Sequence, residues 1–83
     1  MIRVSLVGLK LTYVDEKLRT WKAEFRVISG RNVLGSVYVD SDGLVDLGIE
    51  LYDLEALREL FELLEERVKL IKRKVALVQE ISE

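Results

Sequence analysis

Apolar residues recur every three or four positions through the C-terminal part of the chain. This spacing places them on one side of an α-helix, as in a heptad repeat. Asp53 stands directly before the pattern and is a favourable N-cap residue. The sequence therefore predicts one long helix over residues 53–82, with an apolar seam formed by Leu54, Leu57, Phe61, Leu64, Val68, Ile71, Val75 and Val78.

The first 52 residues show the two-residue alternation of half-buried strands. Apolar positions alternate from Ile2 to Leu6 and then change phase beside Gly8, which predicts a bulge. Short turn segments separate three further strands. Gly35 is expected to make room for the Trp21 indole. The inward-facing residues of the later strands are expected to be Trp21, Ala23, Phe25 and Val27, then Val33, Gly35, Val37 and Val39, then Val45, Leu47, Ile49 and Leu51.

These patterns predict an α+β fold in which a four-stranded antiparallel β-meander precedes one long C-terminal helix. The helix packs on the sheet and extends into an oligomer interface. Residues 1–83 are expected to form a single ββββα domain, with the sheet in 1–52 and the helix in 53–82. No linker or repeat interrupts the pattern.

The expected lengths of the elements predict self-association. A helix of thirty residues is about 45 Å long, whereas strands of about eight residues span about 27 Å. The helix should overhang the sheet beyond Val68, and a monomer rarely exposes such an apolar surface. The expected partner is a second copy of the chain, in a dimer or tetramer. The predicted interface residues are Val68, Leu70, Ile71, Val75, Leu77 and Val78.

Charge is distributed in blocks behind a net charge of −2. Residues 1–31 carry a net +4, residues 32–66 a net −9, and residues 67–83 a net +3. The basic end of the helix would meet the acidic stretch at Glu59–Glu66 if two helices pair antiparallel. This complementarity favours antiparallel over parallel pairing.

The composition argues against several classes of function. The chain has no His and no Cys, so it lacks the usual general base at neutral pH, thiol nucleophiles and soft-metal ligands. We expect no enzyme activity, no metal and no cofactor. No apolar run is long enough to span a membrane, and the first residues do not resemble a signal peptide, so a cytoplasmic location is expected. Abundant Glu, Lys and Arg with few thermolabile residues suit a thermophile.

The sheet face opposite the helix is the best candidate for binding. Its predicted side chains include Arg3, Lys22, Arg26 and Tyr38. Basic groups that meet phosphates, beside an aromatic ring that stacks on a base, are what a single-strand binder needs. The alternative is an ordinary solvated sheet face, since alternating strands always place charges outside. Trp21 shares the apolar phase of Phe25 and is expected in the core.

The transition from the fourth strand to the helix carries a family resemblance. Gly48-Ile49-Glu50-Leu51 leads through Tyr52-Asp53 into Leu54, Leu57 and Leu60. This arrangement resembles the positive-cofactor-4, Pur and Whirly group and the archaeal ThermoDBP-related proteins, which are oligomeric and bind single-stranded DNA or RNA. The resemblance implies that Arg3, Lys22, Arg26 and Tyr38 touch nucleic acid, with Lys10, Arg19 and Arg31 contributing at the strand ends. Glu24, Asp46 and Glu50 depart from the basic face that such proteins usually show.

Two functions from different classes follow from the sequence. The chain is either a homo-oligomeric single-stranded DNA- or RNA-binding protein with little sequence specificity, or a non-enzymatic assembly or adaptor subunit that recognises another protein. In the second case the sheet edge or the helix overhang forms the contact.

Overall fold

A computed structural model describes residues 1–50 and 53–82, with the side chains of residues 44, 45 and 78–82 left out of the description. Val78, which was predicted to lie in an oligomer interface, is among these side chains, and Leu51 and Tyr52 lie outside the described residues. The elements are β1 (Ile2–Val14), β2 (Lys17–Ser29), β3 (Asn32–Asp40), β4 (Gly43–Gly48) and α1 (Leu54–Ser82). The four strands form one antiparallel sheet in the order β1-β2-β3-β4. The predicted α+β meander followed by a helix is confirmed.

The core lies between the sheet and the helix, on the face that the alternation of β2 predicts. Trp21, Ala23, Phe25 and Val27 are all buried, as expected. Leu60 and Leu64 cover them from the helix. We call this covered side the inner face and the opposite side the outer face. Among the described residues, none with a polar or charged side chain is buried, so the core is held together by apolar contact alone.

The predicted bulge beside Gly8 is confirmed. The β1–β2 register shifts between Leu6 and Gly8, which leaves Val7 as the extra residue. Strand β1 nevertheless continues unbroken for 13 residues, and β2 has the same length. The alternation identified the change of phase, but a bulge of this kind bends a strand without ending it.

The expectation that the helix overhangs the sheet from Val68 is wrong. Ile71 is only 6% exposed and belongs to the core, while Val68 and Val75 are half-buried against it. The reason is the length of the first hairpin. Thirteen-residue strands span about 43 Å, and the 29-residue helix is about 43 Å long as well. Leu70 and Leu77 are exposed as expected, at 45% and 59%.

The start of the helix is less buried than the seam predicts. Leu54 is 80% exposed and Phe61 is 41% exposed, although both belong to the predicted apolar seam of the helix. The helix packs chiefly on β1 and β2. A helix about 10 Å wide covers two strands spaced about 4.8 Å apart, so the inner face of β4 stays open. For the same reason Leu47 remains 36% exposed.

Two expectations for β3 are also wrong. Val33 is 60% exposed because a second register shift, between Val27 and Ile28, moves it to the outer face beside Ile28. Gly35 does not make room for Trp21. A Cβ atom on Gly35 would overlap the Gly48 carbonyl oxygen and lie 2.6 Å from Ile49 Cγ2. Its φ of +147° also strains any other residue.

The ends of the elements follow local chemistry. Asp53 caps the helix as predicted, since its Oδ1 accepts a hydrogen bond from the Glu55 N–H at 3.0 Å. Asp15 and Glu16 join β1 to β2 in a two-residue turn with φ of +54° and +67°, the conformation of a type I′ hairpin.

Two ion pairs form along the helix. Arg58 pairs with Glu62 at 3.4 Å, and Lys69 pairs with Glu65 at 3.7 Å. Part of the charge expected to meet a partner is therefore paired within its own helix.

Candidate nucleic-acid interface

The register of the sheet brings Lys10, Lys22 and Tyr38 together on the outer face. Lys10 is directly opposite Lys22 in the β1–β2 ladder. Tyr38 pairs with Glu24 in the β2–β3 ladder and is thus diagonal to Lys22. The Lys22 ammonium lies 5.4 Å from the centre of the Tyr38 ring, within the range of a cation–π interaction. We call these three residues the central cluster.

Lys10 occupies a different place from the one implied by the resemblance. It was expected at a strand end but lies within β1, which runs to Val14. The bulge at Val7 is responsible, since it returns the later polar residues of β1 to the same face as Lys22.

A shallow depression in the outer face lies beside the central cluster. Gly8 has no side chain, so the surface is lower there than at its neighbours. An open depression of about 340 Å³ results. The residues around it are Gly8, Leu9, Lys10, Lys22, Glu24 and Tyr38. Its open shape suits an extended polymer such as single-stranded nucleic acid better than a small molecule, which usually requires an enclosed pocket.

Arg3 and Arg26 form a second basic pair on the outer face. Arg26 is opposite Ser5, and Arg3 is opposite Ile28, so the two arginines are diagonal neighbours. Diagonal side chains in a sheet are about 7 Å apart. The Arg3 guanidinium also donates a hydrogen bond to the Gly30 carbonyl oxygen at 3.4 Å. Both side chains are exposed, so four cations follow the first two strands.

Arg19 and Arg31 remain apart from these cations. Arg19 lies beside the register shift near the tip of the first hairpin, and Arg31 lies in the turn between β2 and β3. Both are exposed. They extend the basic surface toward opposite ends of the sheet and do not join the central cluster.

Acidic residues limit the basic surface. Glu24 accepts a hydrogen bond from the Ser36 hydroxyl at 3.4 Å. Asp46 is opposite Tyr38 in the β3–β4 ladder. Asp40 is opposite Lys22, and its Oδ1 accepts hydrogen bonds from the N–H groups of Asp42 and Gly43, at 2.8 and 3.0 Å. The positive charge of the face is therefore concentrated on β1 and β2.

The aromatic residues divide between the two faces. Trp21 is 5% exposed and lies in the core, as predicted. Tyr13 pairs with Leu18 near the hairpin tip and is 47% exposed. Of these three aromatic residues, Tyr38 is the one that lies beside basic side chains on the outer face.

Sequence reasoning overlooked two features of the outer face. Thr12 and Thr20 are directly opposite each other beside Lys10 and Lys22, and their hydroxyl groups extend the polar surface. The alternation after Gly8 contained the signal for this pair. The second feature is the apolar neighbourhood of Ile28 and Val33, which depends on a bulge that the pattern does not reveal.

Other kinds of site find less support in the described residues. Among the side chains that the structure describes, no three Asp or Glu come close enough to hold a metal ion. In the same part of the chain, no helix is long and apolar enough to cross a membrane. Comparison with models of known families, with curated proteins and with solved structures finds no match for this chain. The class of the protein is therefore described by its architecture alone, an antiparallel four-stranded sheet with one helix on one face.

Proposed function

We propose that the protein is a self-associating, non-enzymatic binder of single-stranded nucleic acid, with little sequence specificity. The observation that carries this proposal is the central cluster, in which two lysines and one tyrosine from three neighbouring strands meet on an open surface. The sequence resemblance to single-strand binders points the same way. A cytoplasmic location and a thermophilic, archaeal source are parts of the proposal that rest on sequence alone.

The cations of β1 and β2 provide the electrostatic part of binding. Lys10, Lys22, Arg3 and Arg26 present two basic pairs along the hairpin. Each phosphate that such a cation neutralises releases counterions, and this release makes affinity depend on salt. Four contacts with a single strand predict a slope of log K against log salt of about −2.8. No contact of this type reads base sequence, so weak specificity follows.

Tyr38 provides the stacking part. Its ring is half-buried, and Lys22 lies near it at cation–π distance. A base that stacks on the ring brings its phosphate within reach of Lys22 or Lys10. Stacking on an aromatic side chain contributes about 1–3 kcal/mol per base. Tyr38 is the one stacking ring among the described residues of this face. We therefore expect the protein to contact few nucleotides, with an affinity in the range typical of non-specific binding.

Charge reversal on the two faces of the molecule tests the proposal. A labelled, mixed-sequence oligonucleotide is titrated with wild-type protein, Lys22→Glu and Lys72→Glu, and fluorescence anisotropy is recorded at two salt concentrations. Lys72 is an exposed helix residue, so its substitution changes net charge equally on the other side. We expect Lys22→Glu to weaken binding and flatten the salt slope, and Lys72→Glu to leave both near the wild type. Equal effects of the two substitutions, or no binding at low salt, would rule the proposal out.

One observation favours an adaptor subunit as the second candidate. Leu6, Leu9 and Leu70 expose between 44% and 47% of their surfaces along one side of the molecule, and apolar patches of this kind often bind proteins. The same titration separates the candidates, because a protein-binding patch on this side does not require Lys22.

A further inference from the structure

One long side of the molecule exposes four leucines. It is formed by β1, the first strand of the sheet, and by the adjacent side of α1. Leu6 is 47% exposed, Leu9 44%, Leu70 45% and Leu77 59%. We call these four residues the leucine edge. A groove of about 320 Å³ runs along it, with Phe25 and Ile71 in its lining and Arg67 and Lys74 beside Leu70.

We propose that the leucine edge binds the same edge of a second copy, so that β1 lies antiparallel to β1 of the partner subunit. The position of the helix makes this arrangement compact. Because α1 packs on β1 and β2, its axis is displaced sideways from β1 by about half a strand spacing, or about 2.4 Å. A two-fold axis midway between the paired strands then brings the two helix axes about 10 Å apart, which is the distance of packed helices.

The helix sequence has the symmetry that such a pair requires. Leu63, Leu70 and Leu77 are seven residues apart and thus share one side of the helix. If two antiparallel helices cross at Leu70, Leu70 meets its own copy and Leu63 meets Leu77 of the partner subunit. Leu70 lines the groove with Leu6 and Leu9. The helices and the strands therefore place the two-fold axis at the same level, close to Gly8.

The size of the molecule allows a stable dimer. The molecule measures 44 × 21 × 18 Å along its principal axes. A contact that used the whole of a side 44 Å long and 18 Å high would cover a projected area of about 800 Å², which leaves room for the roughly 800 Å² of accessible surface that one partner usually buries in a specific interface.

Two features act against the contact. The bulge at Val7 interrupts the free edge of β1, so backbone pairing is limited to short stretches on either side, and apolar contact carries the association. Arg67 and Lys74 also line the groove, and the two-fold axis brings Arg67 of one copy close to Lys74 of the partner subunit. Salt screens this repulsion. The dimer should consequently become tighter as salt increases, whereas an interface based on ion pairs becomes weaker.

The dimer also deepens the proposed function, on which this last consequence rests. A two-fold axis near Gly8 places Lys10 opposite Ser5 of the partner subunit. Lys22 and Lys10 of one copy then continue into Arg26 of the partner subunit across the outer face. The basic surfaces of the two copies become continuous, so that one strand of nucleic acid can cross the dimer and stay in contact with basic residues.

Engineered cysteines test the geometry directly, because the natural chain contains none. Leu70→Cys should form an intermolecular disulfide under mild oxidation, since residue 70 meets its own copy. Leu77→Cys should not, because the two copies lie about 20 Å apart in an antiparallel pair. A parallel pair would cross-link both variants, and pairing through the helix end would cross-link Leu77→Cys alone. Either result, or no cross-link at residue 70, would overturn the proposal.

Solution mass provides a second test that does not involve nucleic acid. Wild-type protein, Leu9→Asp and Leu47→Asp are compared by sedimentation over a range of protein concentrations at low and high salt. Leu47 is similarly exposed on the inner face of the opposite edge strand. We expect the wild-type protein and Leu47→Asp to form dimers whose affinity increases with salt concentration. We expect Leu9→Asp to be a monomer. The proposed interface at the leucine edge would be refuted if the wild-type protein were monomeric under all conditions. It would also be refuted if Leu47→Asp dissociated the dimer and Leu9→Asp did not. Oligonucleotide binding by a monomer would refute this inference and the self-association in the proposed function, but would leave its nucleic-acid binding intact.

Discussion

Lys10 and Lys22 lie directly opposite each other in the β1–β2 ladder, although both carry positive charge. Like charges at directly opposed positions of an antiparallel pair are destabilising. Neither side chain packs in the core, because both are exposed on the outer face. A cost in stability that contributes nothing to the core is typical of residues retained for binding.

The pair leads to a prediction in which stability and binding change in opposite directions. Lys10→Glu creates an attractive cross-strand pair, and we expect an increase of about 0.2–1 kcal/mol in the free energy of unfolding. The same change should weaken oligonucleotide binding by removing one phosphate contact. Urea denaturation and anisotropy titration measure the two effects. Lys17→Glu is the control, since Lys17 is exposed at the hairpin turn opposite Val14. A variant that binds as tightly as the wild type would show that Lys10 contacts no phosphate.

Tyr38 should contribute to binding through its ring and not through charge. We expect Tyr38→Leu to weaken binding by about 1–3 kcal/mol, the loss of one stacked base, while the slope against salt stays unchanged. Tyr13→Leu is a matched control near the hairpin tip and should leave affinity close to the wild type. A changed salt slope for Tyr38→Leu would contradict a stacking role, because stacking releases no counterions.

The turn between β1 and β2 contains avoidable strain. Glu16 has a φ of +67°, a conformation that costs an ordinary residue about 1–2 kcal/mol and costs Gly little. We expect Glu16→Gly to raise the free energy of unfolding by about 1 kcal/mol. Chemical denaturation measures the change, and Gly30, which already occupies the left-handed region at +62°, offers the reverse comparison. Gly30→Glu should lower stability. A lower stability for Glu16→Gly would mean that its side chain makes a contact more important than the backbone strain.

Gly35 and Gly8 should differ sharply in their tolerance of a methyl group. A Cβ atom on Gly35 overlaps the backbone of Gly48 at a positive φ, whereas one on Gly8 lies 3.9 Å from Glu24 Cβ, at ordinary contact distance. We expect Gly35→Ala to cost more than about 2 kcal/mol and Gly8→Ala to change stability by less than about 0.5 kcal/mol. Thermal unfolding of the two variants makes the comparison. Equal losses would show that the close approach of β3 and β4 is not as tight as the structure indicates.

The sequence predicts the type and order of every element, since each has a clear period and recognisable ends. The alternation of β2 identifies its buried residues, and Asp53 identifies the start of the helix. The failures concern relationships between elements. Ile71 was expected to overhang because the strands were expected to be about eight residues long, whereas β1 and β2 have 13 residues each. Phe61 was expected to be buried because a periodic pattern does not say which strands a helix covers.

The candidate site was predictable as a face but not as a cluster. Arg3, Lys22, Arg26 and Tyr38 follow from alternation within their own strands. The contact of Lys22 with Tyr38, and its position opposite Lys10, depend on register across three strands. Register depends on turn geometry and on bulges. The alternation predicts the bulge beside Gly8, but the register shift between Val27 and Ile28 becomes evident only in the folded sheet.

The burial of Trp21 has a practical consequence. It is the single tryptophan of the chain, and it lies in the same core cluster as Leu64 and Ile71, against which Val75 packs. The residues of β2 from Lys17 to Trp21 extend beyond the end of β3, so this part of the hairpin depends on the helix for cover. Water that reaches the indole when the helix lifts should shift its emission to the red. The chain thus contains a natural optical reporter of helix docking, which needs no dye and lies on the face away from the proposed ligand.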